Sequence, residues 1–148
     1  MVKFCVKILV QRLQLQKVRD NNSGIFMLKT PHKSDEQQIE LLLQGWAYAT
    51  RTGLQDKVLA NHAEDVIVFD VLPPLKYEGI VAYKKSWGEW QPETVGVGKF
   101  DLHELKITAN SDIGFAYCFI QCGGTHANGK TFEGWVRATF CLKKTNHQ

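Results

Sequence analysis

The sequence predicts an α+β domain in which three helices precede a curved antiparallel sheet that wraps over them. Three observations carry that prediction. Apolar residues recur at three-and-four spacing from Ile39 to Thr50, the period changes to two from Val97 onward, and the turns "NSD" and "HANGK" divide the period-two region into three long strands in meander order. At 148 residues, 44% apolar and 22% charged, the chain is one domain's worth of soluble globular protein.

Residues 1–33 form a basic N-terminal extension, with seven Lys or Arg against one acid, Asp20. The helix-hostile "NNSG" and "TPHKS" close it. It is a flexible tail, an added strand or helix, or the product of an upstream start, with Met27 as another start. The domain proper runs over 34–148. Its first helix begins at "SDEQ", where Ser34 can cap and Gln37 can reach back while Asp35 and Glu36 sit at the positive end of the dipole. Ile39, Leu42, Leu43, Trp46 and Ala49 or Thr50 make its apolar face, and Gly53 stops it.

A short helix over 54–62 turns Leu54, Val58 and Leu59 to one side, and a strand over 65–70 ends before Pro73 and Pro74. A third helix over 80–90 gathers Ile80, Tyr83, Trp87 and Trp90 on one broad face, with Pro92 beyond it. In "VGKFDLHELKIT", Phe100 and Leu102 share one parity and Leu105 and Ile107 the other, which requires a bulge near His103 and Glu104. "IGFAYCFIQCGG" and "TFEGWVRATFCLKK" are the returning strands.

Charge and cysteine usage exclude several classes. The formal charge of +3 belongs to the extension, since the rest of the chain holds eleven bases and fourteen acids. From Ser34 onward no basic run offers a nucleic-acid face. Cys5, Cys118, Cys122 and Cys141 have no CxxC or His spacing for zinc, and Cys118 and Cys122 would stand about 13 Å apart on one strand at a rise of about 3.3 Å per residue. Free, buried thiols in a reducing cytosol are the expectation. No apolar run approaches the ~18 residues of a membrane span.

One position departs from ordinary core chemistry. In "VIVFDVLPP" four apolar strand residues are followed by Asp70, and Asp is among the least favoured strand residues. It is either a turn carboxylate bonding backbone amides or a carboxylate at the mouth of a pocket. Its neighbours Val68, Phe69 and Val71 favour a raised pKa in the second case. In "WVRATF", Trp135, Arg137 and Thr139 share one face and Val136, Ala138 and Phe140 the other. An inward Arg137 pairs with Asp70 or receives a carboxylate or enolate, and an outward one belongs to solvent or a dimer surface. Trp46, Tyr48, Phe69, Trp87, Trp90 and Tyr117 are pocket-lining candidates, with ordinary packing as the competing role. His62, His103 and His126 are isolated, no second carboxylate accompanies Asp70, and neither a metal set nor a cofactor motif emerges.

The element order, the stretch "GWAYATRTGLQDKVLANHAEDVIVFDVLPPLKYEG" and the strand "GWVRATF" resemble the nuclear transport factor 2 superfamily, in its SnoaL-like and ketosteroid isomerase-like branch. The resemblance covers 34–148 and needs no gap between Trp46 and Asp70. It implies a cone-shaped pocket between sheet and helices, commonly in a homodimer, with Asp70 at the position of the proton-transferring base; that isomerase is also a standard example of carboxylate tuning. The position of the family's enolate-binding Tyr falls on Trp46, and that of its protonated Asp on Arg137 or Ala138. Neither partner is retained, which argues against a steroid isomerase.

Two functions are then open. One is a cofactor-independent isomerase-, cyclase-, lyase- or hydrolase-like enzyme using Asp70 as general base on an apolar carbonyl substrate. The other is a noncatalytic ligand-binding or association module of the same fold. Either takes a small apolar or carboxylate-bearing ligand or a second copy of the chain, with no nucleic acid and no membrane. The resemblance also implies a further strand after "KKTNHQ", which this chain lacks. Its place is filled by the N-terminal "KFCVKILV", where Val2, Phe4, Val6 and Ile8 alternate, or by a partner, or the reading frame is abnormal.

Overall fold

The computed structural model describes residues 8–15, 33–70, 74–90, 94–110 and 112–146. In chain order these form β1 (Ile8–Leu15), α1 (Asp35–Arg51), α2 (Gln55–Leu59), β2 (Ile67–Phe69), β3 (Lys76–Glu78), α3 (Gly79–Trp90), β4 (Lys99–Ala109), β5 (Ile113–Thr125) and β6 (Thr131–Asn146). The main sheet has the order β1-β6-β5-β4, and β2 and β3 make a separate two-stranded sheet. The α+β architecture and the meander follow the sequence expectation.

The capping box at the start of α1 forms as its residues dictate. Ser34 Oγ accepts from the Gln37 amide at 3.3 Å, and Gln37 Oε1 accepts from the Ser34 amide at 2.9 Å. Asp35 adds a long-range tie, accepting from Lys144 Nζ at 2.6 Å, so the helix start is pinned to the end of β6. Gly53, at φ 71°, reverses the chain where a side chain would be strained.

The long strands owe their registers to two turns and one bulge. Asn110 Oδ1 accepts from the amides of Asp112 and Ile113, an Asx turn that starts β5. Gly129, at φ 80°, carries the turn between β5 and β6. The bulge lies where the parity change requires it: the β4–β5 register shifts between His103 and Lys106, and Glu104 adopts φ 54°. Leu102 and Leu105 therefore both pack on the core, although they stand three positions apart and so on opposite parities.

The inner face of the sheet is Ala116, Cys118 and Ile120 from β5 and Val136, Ala138, Phe140 and Leu142 from β6, all buried. Ile39, Leu43 and Trp46 of α1 lie against it. Three expectations are refined. α2 is shorter than 54–62, "KYE" pairs as β3 because Val68 and Tyr77 come opposite each other, and α3 starts one residue earlier, at Gly79. Of the N-terminal extension, residues 8–15 are a strand paired in parallel with β6, from Ile8 beside Thr139 to Leu15 beside Asn146. The chain thus covers this half of the β6 edge itself. Of "KFCVKILV", Ile8, Leu9 and Val10 belong to this strand, and Val2, Phe4 and Val6 lie outside the described residues.

Gly114 sits where α1 comes closest to β5. A Cβ there would stand 2.5 Å from Ile39 Cδ1. Gly114→Ala is expected to cost about 1–3 kcal/mol in urea unfolding, and Ile39→Val, which removes Cδ1, to recover part of that loss in the double variant. Additive losses would contradict the contact.

Candidate functional site

β2 shows the alternation of a half-buried strand. Val66 and Val68 are 0% exposed, Ile67 and Phe69 are 40% and 48% exposed, and Asp70 is half-buried. Asp70 thus continues the parity of Val66 and Val68, which face the core. Its amide donates to the Leu75 carbonyl at 2.9 Å, extending the β2–β3 pairing past Phe69. Gly79 anchors the other end: its amide donates to Val66 O at 2.7 Å, and at φ 80° only a glycine enters α3 there without strain. The carboxylate is therefore held on a short, doubly tied hairpin. β1, the outer strand of the main sheet beside β6, also runs alongside β2, the strand that leads into Asp70.

Trp46 lies in the interior at 5% exposure, with its ring edge-on to Phe100 and Phe140 at centroid distances of 5.2 and 5.5 Å. Its Nε1 is buried and has no hydrogen-bond acceptor among the described residues. A buried donor left unpaired costs about 1–3 kcal/mol, which an oxygen acceptor from a bound molecule would offset. A second aromatic group joins His62, Tyr83 and Trp87, with Tyr83 5.0 Å from His62 and 6.1 Å from Trp87 between ring centroids. The Trp90 side chain lies outside the described residues.

The other candidates separate from this interior. Arg137 is exposed and stands opposite Phe119 on the outer face of the sheet, while Ala138 takes the buried position. The parity left open by the sequence is thus outward, and among the described residues no ion pair joins Arg137 to Asp70. An inward role as anion or enolate stabiliser is withdrawn on that geometry: the strand's period of two puts Val136, Ala138 and Phe140 inside, where a guanidinium would have to be desolvated. Tyr117 shares the outer face, Phe69 faces away from the core, and Tyr48 is 54% exposed at the far end of α1. None of these three lines the interior.

Tyr48 instead borders an open groove of about 740 Å³ shared with Arg51, Lys99, Asp101, Phe132 and Glu133. Its charges satisfy each other. Arg51 Nη1 reaches Asp101 Oδ1 at 2.6 Å, Lys99 Nζ reaches Glu133 Oε2 at 3.0 Å, and Gln121 Nε2 donates to Glu133 Oε1 at 2.6 Å. Lys99, and then Gln121, hold the Glu133 carboxyl below its ordinary pKa. Neither Asp70 nor Trp46 lines this groove. No local pattern marks this groove, because its residues come from α1, the ends of three strands and the segments beside them.

Among the described residues no three His, Cys, Asp or Glu side chains converge as a metal site. Nor is any described helix long and apolar enough to cross a membrane.

The family model for the SnoaL-like domain matches residues 39–148. The fold is similar to an NTF2-like protein of unknown function from Pseudomonas putida KT2440, with 21% identity and a TM-score of 0.57 over 72% of this chain and 84% of that one. It is also similar to a protein from Xanthomonas campestris assigned as a calcium/calmodulin-dependent protein kinase II association domain, with 15% identity and a TM-score of 0.61 over 80% of this chain and 91% of that one. At these identities the likeness speaks to fold. Comparison with curated proteins finds no match.

The interior thiols are poor nucleophiles. Burial pushes Cys118 up to about 11 and Cys122 to about 12, whereas Cys141 is exposed. At pH 8 a thiol at about 11 is thiolate in only about one molecule in a thousand. Iodoacetamide at pH 8 is expected to label Cys141 and to spare Cys118 and Cys122 until the chain is unfolded, as read by peptide mass mapping. The same shifts have a stability consequence: above the ordinary value of 9.0 the unfolded thiols lose their protons first, so these two groups lower folding stability as the pH rises from 9 toward 11.

Proposed function

The chain belongs to the SnoaL-like domain family, and on that premise we propose that it is a small-molecule pocket protein in which Asp70 acts as a general base on an apolar carbonyl compound. The observation that carries this proposal is the alternation along β2, in which Asp70 continues the buried parity of Val66 and Val68 and stays half-buried at the strand's end. A carboxylate in that situation meets a bound molecule on one side and water on the other, which suits a group that must take a proton and return it.

The proposed step is proton transfer at carbon. The Asp70 carboxylate takes a proton from the carbon next to a carbonyl, the C–H electron pair becomes the enolate, and Asp70 returns the proton to the same or a conjugated carbon. Trp46 Nε1, buried without an acceptor among the described residues, supplies a neutral donor for the carbonyl oxygen. An indole donates one bond and lacks a phenol's acidity, so its stabilisation of an enolate is weaker than a Tyr–Asp pair would give. A carboxylate-bearing ligand rested on an inward Arg137. With that residue on the outer face the apolar ligand is favoured.

The test is deuterium uptake from D2O next to the carbonyl of cyclic ketones and β-keto esters, followed by proton NMR. Asp70→Asn is expected to lower a protein-catalysed exchange rate by about 10²- to 10⁴-fold, while binding of prodan, an apolar aromatic ketone with polarity-sensitive emission, changes little. Exchange unaffected by the substitution would remove Asp70 as the base. Binding without exchange in the unaltered protein would favour the noncatalytic module.

A second copy of the chain is proposed to pack on the outer face of the sheet, and this holds for either function. Phe115, Tyr117, Phe119 and Trp135 are exposed there together, with Arg137 beside them. Trp, Tyr and Arg are the residues that dominate protein interfaces, and a row of exposed aromatics is unusual on a surface meant for water. Sedimentation at micromolar concentration is expected to give a dimer that Phe119→Glu converts to a monomer with unchanged far-ultraviolet circular dichroism. A monomer before substitution would dismiss the interface.

A further inference from the structure

We infer that β1 is a detachable wall of the Asp70 site: residues 8–15, supplied from outside the SnoaL-like domain, close the interior beside β2, and ligand exchange runs through their displacement. This rests on the proposed site at Asp70 and adds to it the path by which a ligand enters and leaves.

The family match begins at residue 39, so β1 is an addition to the domain. It nevertheless lines the β6 edge from Thr139 to Asn146, with Val10 beside Cys141 and Leu13 beside Lys144 in parallel register. The same eight residues run against β2, whose next residue is Asp70. One segment thus touches both the main sheet and the hairpin that holds the carboxylate, and no other described element runs along both β6 and β2.

Its attachment is lopsided. β1 is the outer strand of the main sheet, and the ladder partner of β2 is β3, so among the described residues β1 is held by hydrogen bonds along one edge only. β5, by contrast, is laddered on both sides, to β4 and β6. A strand fixed by one ladder opens at lower free energy than one fixed by two. That single ladder makes β1 the part of this boundary that opens most readily.

The register supplies a direct test in the full chain. Neighbouring strands lie about 4.8 Å apart, within disulfide reach, and Cys141 is already present and exposed. Val10→Cys is expected to form an intramolecular disulfide with Cys141 on mild oxidation, identified by peptide mass mapping and absent when Cys141→Ser is added. Prodan dissociation, measured by stopped-flow fluorescence, is expected to slow by about ten-fold or more in the tethered protein and to recover on reduction. Proline at Val10 and at Gln11 gives the opposite arm. Adjacent amides point to opposite edges of a strand, so one of the two variants breaks the ladder and is expected to speed dissociation.

Failure of the disulfide to form, or equal dissociation rates with and without it, would overturn the wall. Should prodan not bind the untethered chain, that result would count against the Asp70 site itself. Amide hydrogen exchange then decides on β1 alone: residues 8–15 are expected to exchange faster than β5 and to gain protection when tethered, and exchange as slow as β5 before tethering would refute a detachable strand.

Discussion

The packing of α1 across the inner face of β4, β5 and β6 sets the position of every other element. Trp46 meets β4 at Phe100 and β6 at Phe140 in the same orientation, so one ring fixes the helix against both sides of the sheet. Small residues make this approach possible: Gly114 admits Ile39, and Ala116 and Ala138 keep the centre of the face shallow. The bulge at Glu104 serves the same contact, because without its extra residue Leu105 and Ile107 would turn outward. Burial of one continuous apolar face is the driving force, and caps and turns determine which face that is.

The same period of two divides the chemistry. Inward positions of β6 are Val136, Ala138, Phe140 and Leu142, and outward ones include Trp135, Arg137 and Cys141. An arginine on the outward set keeps its solvation, and the interior is spared a charge that would need a buried partner. Asp70 is the exception that the alternation of β2 produces, a carboxylate on the inward parity held at a strand's end. Val66 and Val68 on that parity belong to the apolar core, and among the described residues the buried indole of Trp46 is a neutral donor without an acceptor.

Much of this was legible in the sequence because it depends on local patterns. The capping box at Ser34, the bulge near Glu104, the two turns and the parity of "WVRATF" are each written in a few adjacent residues. The direction of Arg137 was not legible. Both faces of β6 carry large apolar or aromatic residues, Trp135 on one and Phe140 on the other, so alternation gave two parities with no sign to choose between them. β3 escaped because three residues between a proline turn and a glycine carry too little pattern. The groove beside Tyr48 escaped for a different reason: it is assembled by tertiary structure from chain segments far apart, and its ion pair joins Arg51 to Asp101.

The edge of β6 shows how a local incompleteness is resolved at the level of the chain. A long strand left at the end of a sheet presents unpaired amides and carbonyls that would recruit another molecule. A strand returning directly from β6 would cover that edge antiparallel, but the chain covers it in parallel, with a segment that precedes α1. Parallel pairing requires a long connection, and a strand from the other end of the sequence satisfies that requirement. Because both strands belong to one molecule, the effective concentration is high and weak pairing suffices to keep the edge covered. Weak pairing is also what a wall must have if it is to open without unfolding the sheet behind it. An edge that needs protection and an interior that needs an entrance are therefore served by the same eight residues.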